Sequence, residues 1–261
     1  MENIIEVNQS NIETEHICCA IGNDPVNRRR ADDKKAWMDQ RRGDGHRFIK
    51  ADLRGKVFAE FEPAENAWAP IRADGYQFIQ CLWASGRYQG KGYGRELIDR
   101  VKTEVLAADP HCRGLVIISS NKKRPFMVAP GFLHAMGFSP VDHGEPWFDL
   151  YALKFDVDAP DPRFEDRARQ AEIIGENGER PKGFDFFYSR GCPFNADFSR
   201  LMADMAMDAG FEVRLNEIHS REEALALPVA WGLFSVFYQG QFVNNAIYPG
   251  KSWEKYLAGL D

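Results

Sequence analysis

The stretch of residues 89–95, QGKGYGR, combines three glycines with two basic side chains and runs into a helical pattern. Glycines let a phosphate approach the backbone, and the amides that begin a helix attract anions. A P-loop requires a hydroxyl after its lysine, but Lys91 is followed by Gly92. A dinucleotide fingerprint requires G-x-G-x-x-G, whereas Gly90, Gly92 and Gly94 are spaced G-x-G-x-G. The spacing disfavours both loops and leaves either another phosphate-binding loop or an ordinary strand-to-helix turn.

The flanking elements suit a phosphate-binding loop. Upstream, YQFIQCLWA (residues 76–84) is rich in aromatic and β-branched residues and predicts a buried strand. Downstream, Leu97, Val101 and Val105 recur at helical spacing before Pro110 ends the pattern. Strand, loop and helix therefore follow in order, with the positive end of the helix dipole at the glycines.

Composition limits the classes of function. The 261 residues allow two domains, and 44% hydrophobic and 28% charged residues with a net charge of -6 are typical of a soluble globular protein. This acidic balance argues against a nucleic-acid partner, and the basic run at residues 27–30 is interpreted as a solvated helix face. The chain has no run of eighteen apolar residues and no signal-peptide pattern, so we expect no membrane association and a cytoplasmic location. Five cysteines without a C-x-x-C pair favour neither a metal site nor a disulfide scaffold.

The first half of the chain alternates between helical and strand patterns. Asp24 is a candidate helix cap with Pro25 at the first position, and the helix is predicted to end near Arg42. The remaining predictions are a hairpin in residues 46–63 that turns at Arg54-Gly55, a strand at 113–120, a short helix that closes over 132–138, and a strand at 147–155.

A composition break at residues 156–183, rich in proline, glycine and charge, predicts a linker with a short helix over 163–174. We therefore expect domains at 1–157 and 183–261, joined by a linker at 158–182. The second domain has a β-α-β-α-β-β-α order that resembles the thioredoxin fold, with Cys192 at the start of its first helix. Asn195 stands where a resolving cysteine would stand.

Residues 89–94 also match the pattern Q/R-x-x-G-x-G/A of the GNAT superfamily of N-acetyltransferases. Together with CLWASG, IISSNKKRPF and GCPF, this motif makes the chain resemble a GNAT N-acetyltransferase followed by a YoaP-like C-terminal domain. The resemblance implies an α/β fold with a GNAT-type mixed sheet and flanking helices, plus a smaller thioredoxin-like domain. It also implies direct transfer of an acetyl group from acetyl-CoA, the cosubstrate, to a small-molecule amine.

The resemblance also assigns roles to residues. The pantetheine arm would bind Leu82, Trp83 and Ala84, and residues 118–121 would border the cleft, with Asn121 at the cofactor. The pyrophosphate would bind the loop Gln89, Gly90, Lys91, Gly92, Tyr93, Gly94 and Arg95. Glu60 and Glu62 are the candidate general bases; alternatively, each is an exposed strand carboxylate. Leu133 occupies the position of the usual tyrosine acid, which leaves Ser119, Ser120 or solvent to protonate the thiolate.

Several alternatives stay open at the level of sequence. Lys122 and Lys123 either solvate a loop, which we favour, or bind the acceptor. Cys192 is either structural, partner-binding or a monothiol exchange site, and Cys18-Cys19 is interpreted as a buried helix face. One rival function is a thiol-redox or partner-binding module whose GNAT half only senses coenzyme A. A second rival treats both halves as a binding scaffold without enzymatic activity. The oligomeric state is open, a homodimer included.

Overall fold

The computed structural model describes residues 3–248 and 250–260 and contains two compact units. The first consists of Met1–Ala67, Ile71–His143 and Trp147–Phe164, and the second of Trp68–Pro70, Gly144–Pro146 and Glu165–Asp261. The main boundary, between Phe164 and Glu165, falls inside the segment expected to be a linker. In the part of the chain that the structure describes, no helix is both long and apolar enough to cross a membrane.

The first unit is a mixed sheet with helices on its faces. Its elements in chain order are β1 (Ile4–Val7), α1 (Pro25–Arg42), β2 (Arg47–Ala51), β3 (Val57–Pro63), β4 (Ile71–Arg72), β5 (Tyr76–Ala84), α2 (Tyr93–Ala108), β6 (Gly114–Ser120), α3 (Pro130–Ala135), β7 (Ser139–Gly144), β8 (Phe148–Lys154) and β9 (Arg163–Phe164). Seven strands form one sheet in the order β1-β2-β3-β5-β6-β8-β7, and β4 pairs with β9. Strands β5 and β6 form a parallel pair in this sheet.

Local sequence signals explain the first helix and the central strands. The Asp24 side chain accepts a hydrogen bond from the Asn27 amide at 3.0 Å, and Pro25 begins α1 as predicted. The hairpin β2–β3 and the strand β5 also confirm the predictions. The apolar face of α2 packs on the sheet through a core that contains Leu97, Val101, Ile79 and Leu115.

Three predictions about local structure are wrong. Residues 163–174 form no α-helix, because Arg163–Phe164 pairs as β9 and only a 3₁₀ turn follows at Asp166–Arg169. Cys18 and Cys19 lie in a loop, where Cys18 is buried and adopts a φ of 46°. Helix α4 begins at Asn195, so Cys192 lies in the preceding turn.

The second unit has the predicted β-α-β-α-β-β-α order. Its elements are β10 (Phe184–Tyr188), α4 (Asn195–Asp208), β11 (Val213–Glu217), α5 (Arg221–Leu225), β12 (Phe234–Tyr238), β13 (Gln241–Asn244) and α6 (Gly250–Leu257). The sheet order is β11-β10-β12-β13, with β10 parallel to β11 and antiparallel to β12. Trp253 of α6 is fully buried, and its indole nitrogen donates to the Met202 carbonyl at 2.8 Å, which anchors α6 to α4.

Candidate functional site

The large sheet opens between β5 and β6. The two strands pair from Tyr76↔Gly114 to Phe78↔Val116, whereas β5 continues to Ala84 and β6 to Ser120. The other edge of β5 stays paired with β3 as far as Ala84. Beyond Phe78, therefore, the β6-facing edge of β5 presents backbone groups that can bind an extended ligand. Leu82, Trp83 and Ala84 lie on this stretch.

The glycine loop lies at the open end, directly after β5. Gly90 has a φ of 75° and Gly92 a φ of 85°, both in the left-handed region that favours glycine. Gly92 is the N-cap of α2 and provides no side-chain cap. The first amides of α2, from Tyr93 onward, therefore lack intrahelical acceptors and are available to an anion. Gln89 and Gly90 are exposed beside them.

Gly94 also has a packing role that the motif alone does not indicate. It lies inside α2, and a Cβ placed there would lie 3.0 Å from the Phe132 ring of α3. Glycine at this position therefore allows close packing of two helices, whereas Gly90 and Gly92 allow the turn itself.

The exposed side chains around the loop are basic. Arg87, Lys91 and Arg95 all face solvent, while the carboxylate residue of the first helical turn, Glu96, is half-buried. Three exposed cations beside free helix amides favour a ligand with several negative charges, such as a pyrophosphate.

The candidate bases Glu60 and Glu62 lie in a buried charge cluster between β3 and α1. Lys34 Nζ lies 2.5 Å from Glu60 Oε2, and Arg41 Nη2 lies 2.6 Å from Glu62 Oε2. The imidazole of His46 lies between the carboxylates, with Nε2 3.4 Å from Glu60 and Nδ1 3.8 Å from Glu62. Both glutamates are at most 1% exposed, so neither is the exposed strand carboxylate of the alternative interpretation.

The cluster moves the two carboxyl pKa values in opposite directions. Burial raises the pKa of Glu60, but the charge of Lys34 and the nearby imidazole of His46 outweigh it, so the net shift is downward. Burial also raises the pKa of Glu62, and there His46 and Arg41 do not compensate, so the net shift is upward. Enclosure and ion pairing argue against either group as a base in contact with an incoming amine.

The hydroxyls at the end of β6 are already engaged. Ser119 Oγ donates to the Val128 carbonyl and Ser120 Oγ to the Lys122 carbonyl, each at 2.5 Å. Both serines are fully buried, which argues against Ser120 as a proton donor to a leaving group. Leu133 is buried in the core beside α2 and supplies no proton. Asn121 follows Ser120 and is exposed at the edge of the opening.

The turn that carries Cys192 is held by the residue that replaces a second cysteine. The side-chain nitrogen of Asn195 donates to the carbonyls of Ser189, at 3.2 Å, and Leu233, at 2.5 Å. Asn195 therefore connects the end of β10 to the loop that precedes β12. A thiol could not make both of these hydrogen bonds. The position cannot form a dithiol with Cys192.

Thiol reactivity should differ sharply among the cysteines. Cys18 and Cys112 are 3% and 5% exposed, and burial raises the pKa of both thiols. We expect iodoacetamide at pH 8 to leave these two unmodified in the native protein while half-buried Cys192 reacts, as measured by peptide mass spectrometry. Alkylation of Cys18 as fast as Cys192, without denaturant, would contradict the burial of the Cys18 thiol.

One feature near the opening was missed at the level of sequence. The guanidinium of Arg124 lies 3.6 Å from the centroid of a Trp147 ring, in the geometry of a cation–π stack. The available signal was the basic run KKR after the β6 pattern together with Trp147 before the next strand pattern.

Comparisons with known proteins identify relatives of the chain. A family model described as YoaP-like matches residues 213–255. The uncharacterized N-acetyltransferase YoaP of Bacillus subtilis (strain 168) is 33% identical over 256 residues, which cover 98% of both chains. Two solved structures align with part of the chain. A GNAT family acetyltransferase from Brucella melitensis in complex with acetyl-CoA is 16% identical, with a TM-score of 0.38, over 63% of this chain and 96% of that one. The ribosomal-protein-S18-alanine N-acetyltransferase from Escherichia coli is 12% identical, with a TM-score of 0.39, over 62% and 98%.

The first unit combines a mixed sheet that opens between two parallel strands with a glycine loop and a helix start at the opening, which is the arrangement that the resemblance in the sequence implied. The similarity to YoaP extends over both units, so it identifies the family of the whole chain and not only of the first unit. The chain belongs to the YoaP family of N-acetyltransferases.

Proposed function

We propose that the protein binds acetyl-CoA at the opening between β5 and β6 and transfers the acetyl group to a small amine. The observation that supports this most directly is the limited pairing of β5 with β6, which stops at Phe78↔Val116 immediately upstream of an exposed glycine loop. In this proposal the backbone edge at Leu82, Trp83 and Ala84 binds the amides of the pantetheine arm.

The phosphate end is assigned to the loop. The pyrophosphate would bind backbone amides of the loop, at Gln89, Gly90 and Gly92, and of the first turn of α2, at Tyr93, Gly94 and Arg95. The side chains of Lys91 and Arg95 would neutralise its charge. Asn121, at the end of β6, would contact the cofactor across the opening. Acetyl-CoA supplies an activated acyl group as a thioester.

The chemistry requires orientation more than acid catalysis. A neutral amine attacks the thioester carbonyl, the carbon–sulfur bond breaks, and the electron pair leaves on sulfur while the amine loses one proton. A thiol has an ordinary pKa of about 8.5, so its thiolate can leave and take a proton from water without a dedicated acid. We therefore assign proton exchange to solvent at the opening, and we assign Glu60 and Glu62 to holding β3 against α1.

Calorimetry tests the binding step. Acetyl-CoA should bind in the micromolar range, and S-acetylpantetheine, which lacks the nucleotide phosphates, should bind at least about tenfold more weakly because charge-assisted contacts are lost. The double variant K91Q/R95Q should weaken binding of acetyl-CoA but not of S-acetylpantetheine. The matched control is R28Q, which removes one exposed positive charge from α1.

Acyl transfer is then measured as release of the coenzyme A thiol in the presence of amines. Because the attacking amine must be neutral, the rate should rise with pH toward the pKa of the acceptor. Failure of acetyl-CoA to bind, or equal affinity for S-acetylpantetheine, would overturn the assignment of the glycine loop.

A further inference from the structure

The segment between β6 and α3, residues 121–129, forms a basic loop at the rim of the opening. Its two ends are tied to the end of β6, because Ser119 Oγ donates to the Val128 carbonyl and Ser120 Oγ to the Lys122 carbonyl. The Asn121 amide also donates to the Trp147 carbonyl, at 3.1 Å. The loop therefore starts and ends where β5 and β6 have already separated.

Three consecutive residues of this loop carry positive charge without neutralisation. Lys122 and Lys123 are exposed, and Arg124 is half-buried. Within residues 3–248 and 250–260, no carboxylate forms an ion pair with any of the three. Some cations of the same unit are neutralised, as Arg47 is by Glu6. In a protein with a net charge of -6, an uncompensated basic triplet at a cleft favours an anionic ligand.

The side chain of Arg124 is arranged to bind a planar anion. Its guanidinium stacks on Trp147 at 3.6 Å, which fixes the plane of the group and therefore the plane in which its N–H groups donate. The Nε atom is buried and has no hydrogen-bond partner among the described residues. A buried donor without a partner is costly, and a carboxylate that binds the edge of the guanidinium would satisfy it.

Phe126 adds an apolar surface to the same loop. It is 60% exposed, although phenylalanine is usually buried, and its φ of 61° lies in the left-handed region that bulky residues avoid. An exposed aromatic ring on a strained backbone contributes little to the core and is typical of a residue retained for binding.

We propose that the acceptor is a small amine that carries a carboxylate, or a comparable planar anion, and that Arg124 binds this group. Lys122 and Lys123 attract the acceptor, and Phe126 covers its apolar part. Binding of the anion at the rim directs the amine into the opening between β5 and β6. This inference rests on the proposed transferase function and specifies its acceptor.

The test compares common amino acids with their carboxamides, which have the same shape but no carboxylate, in the thiol-release assay. For at least one pair, kcat/KM should favour the carboxylate by about 10- to 100-fold, the effect of one charge-assisted contact. This preference should hold even though a carboxamide has more of its amine in the neutral, reactive form. R124Q should remove the preference by raising KM for the carboxylate, while KM for acetyl-CoA stays unchanged.

Further variants separate charge from geometry. R124K keeps the positive charge but lacks the planar guanidinium that stacks on Trp147. It should therefore also lose most of the preference for the carboxylate. R28Q removes an exposed charge elsewhere and should behave like the wild type. A change in KM for acetyl-CoA alone in R124Q would assign Arg124 to a cofactor phosphate and overturn the inference.

The failure of this inference can be distinguished from failure of the proposed function. If acetyl-CoA binds as proposed but carboxamides are acetylated as well as amino acids, or neither is acetylated, the acceptor inference is wrong and the cofactor site stands. If calorimetry shows no binding of acetyl-CoA, the proposed function itself is wrong.

Discussion

G92D is expected to weaken binding of acetyl-CoA by about 100-fold or more, measured by calorimetry, because it places a carboxylate beside the phosphates. Two like charges about 4 Å apart repel by about 4 kcal/mol near a protein surface, which is sufficient for that loss. Gly92 is the N-cap of α2, and its φ of 85° also makes any side chain there strained.

Two controls separate charge from strain. G92A introduces a side chain at the same φ without charge, so it should bind more tightly than G92D. G210D places the same substitution in the second unit, at a φ of 89° with nothing within 4 Å of the new Cβ. It should bind acetyl-CoA normally. Wild-type affinity in G92D, with the fold intact by circular dichroism, would show that the loop does not bind the phosphates.

E60Q is expected to lower the free energy of unfolding by about 3 kcal/mol, because breaking a buried ion pair leaves a buried charge without its carboxylate. The charge is that of Lys34, which is fully buried and lies 2.5 Å from Glu60. Guanidinium denaturation measures the loss. The pKa of Glu60 is lowered in the folded protein, so its contribution to stability is present above the ordinary pKa and is lost as pH falls through the folded one. E60Q should therefore also flatten the acid side of the stability profile.

A surface pair on the same helix provides the control. Asp39 lies 3.5 Å from Arg42 with 60% of its side chain exposed, and D39N should change stability by about 0.5 kcal/mol or less. The double variant K34M/E60L, which replaces both partners with apolar side chains, should recover much of the loss. An E60Q protein with normal stability and abolished acetyl transfer would restore Glu60 as the general base.

Local signals in the sequence predicted the elements that form the proposed cofactor site. Asp24 and Pro25 set the start of α1, and the apolar residues of 76–84 set the bounds of β5. Both signals depend only on residues that are close together in the sequence. The order of the second unit was predicted for the same reason. In contrast, β7 was missed, since SPVDHG is an edge strand with half of its residues exposed and without an apolar pattern.

The candidate site was predictable where a motif specifies the backbone and unpredictable where distant side chains meet. The conformations of Gly90 and Gly92 follow from the loop pattern. The pairing of Glu60 with Lys34 does not, because 26 residues separate the partners and only the packing of α1 on β3 brings them together. The stack of Arg124 on Trp147 and the packing of Phe132 on Gly94 are long-range contacts of the same kind.

The early end of the β5–β6 ladder has a consequence for the lifetime of the protein. If the pantetheine arm occupies the gap, it takes the place of a missing strand, and the bound cosubstrate completes the hydrogen bonding of the sheet. Ligand that binds only the folded state adds RT ln(1 + [L]/Kd) to stability, about 2.7 kcal/mol at one hundred times Kd. The enzyme would then resist proteolysis when acetyl-CoA is abundant and be degraded faster when it is scarce, so that the amount of enzyme follows the supply of its acyl donor.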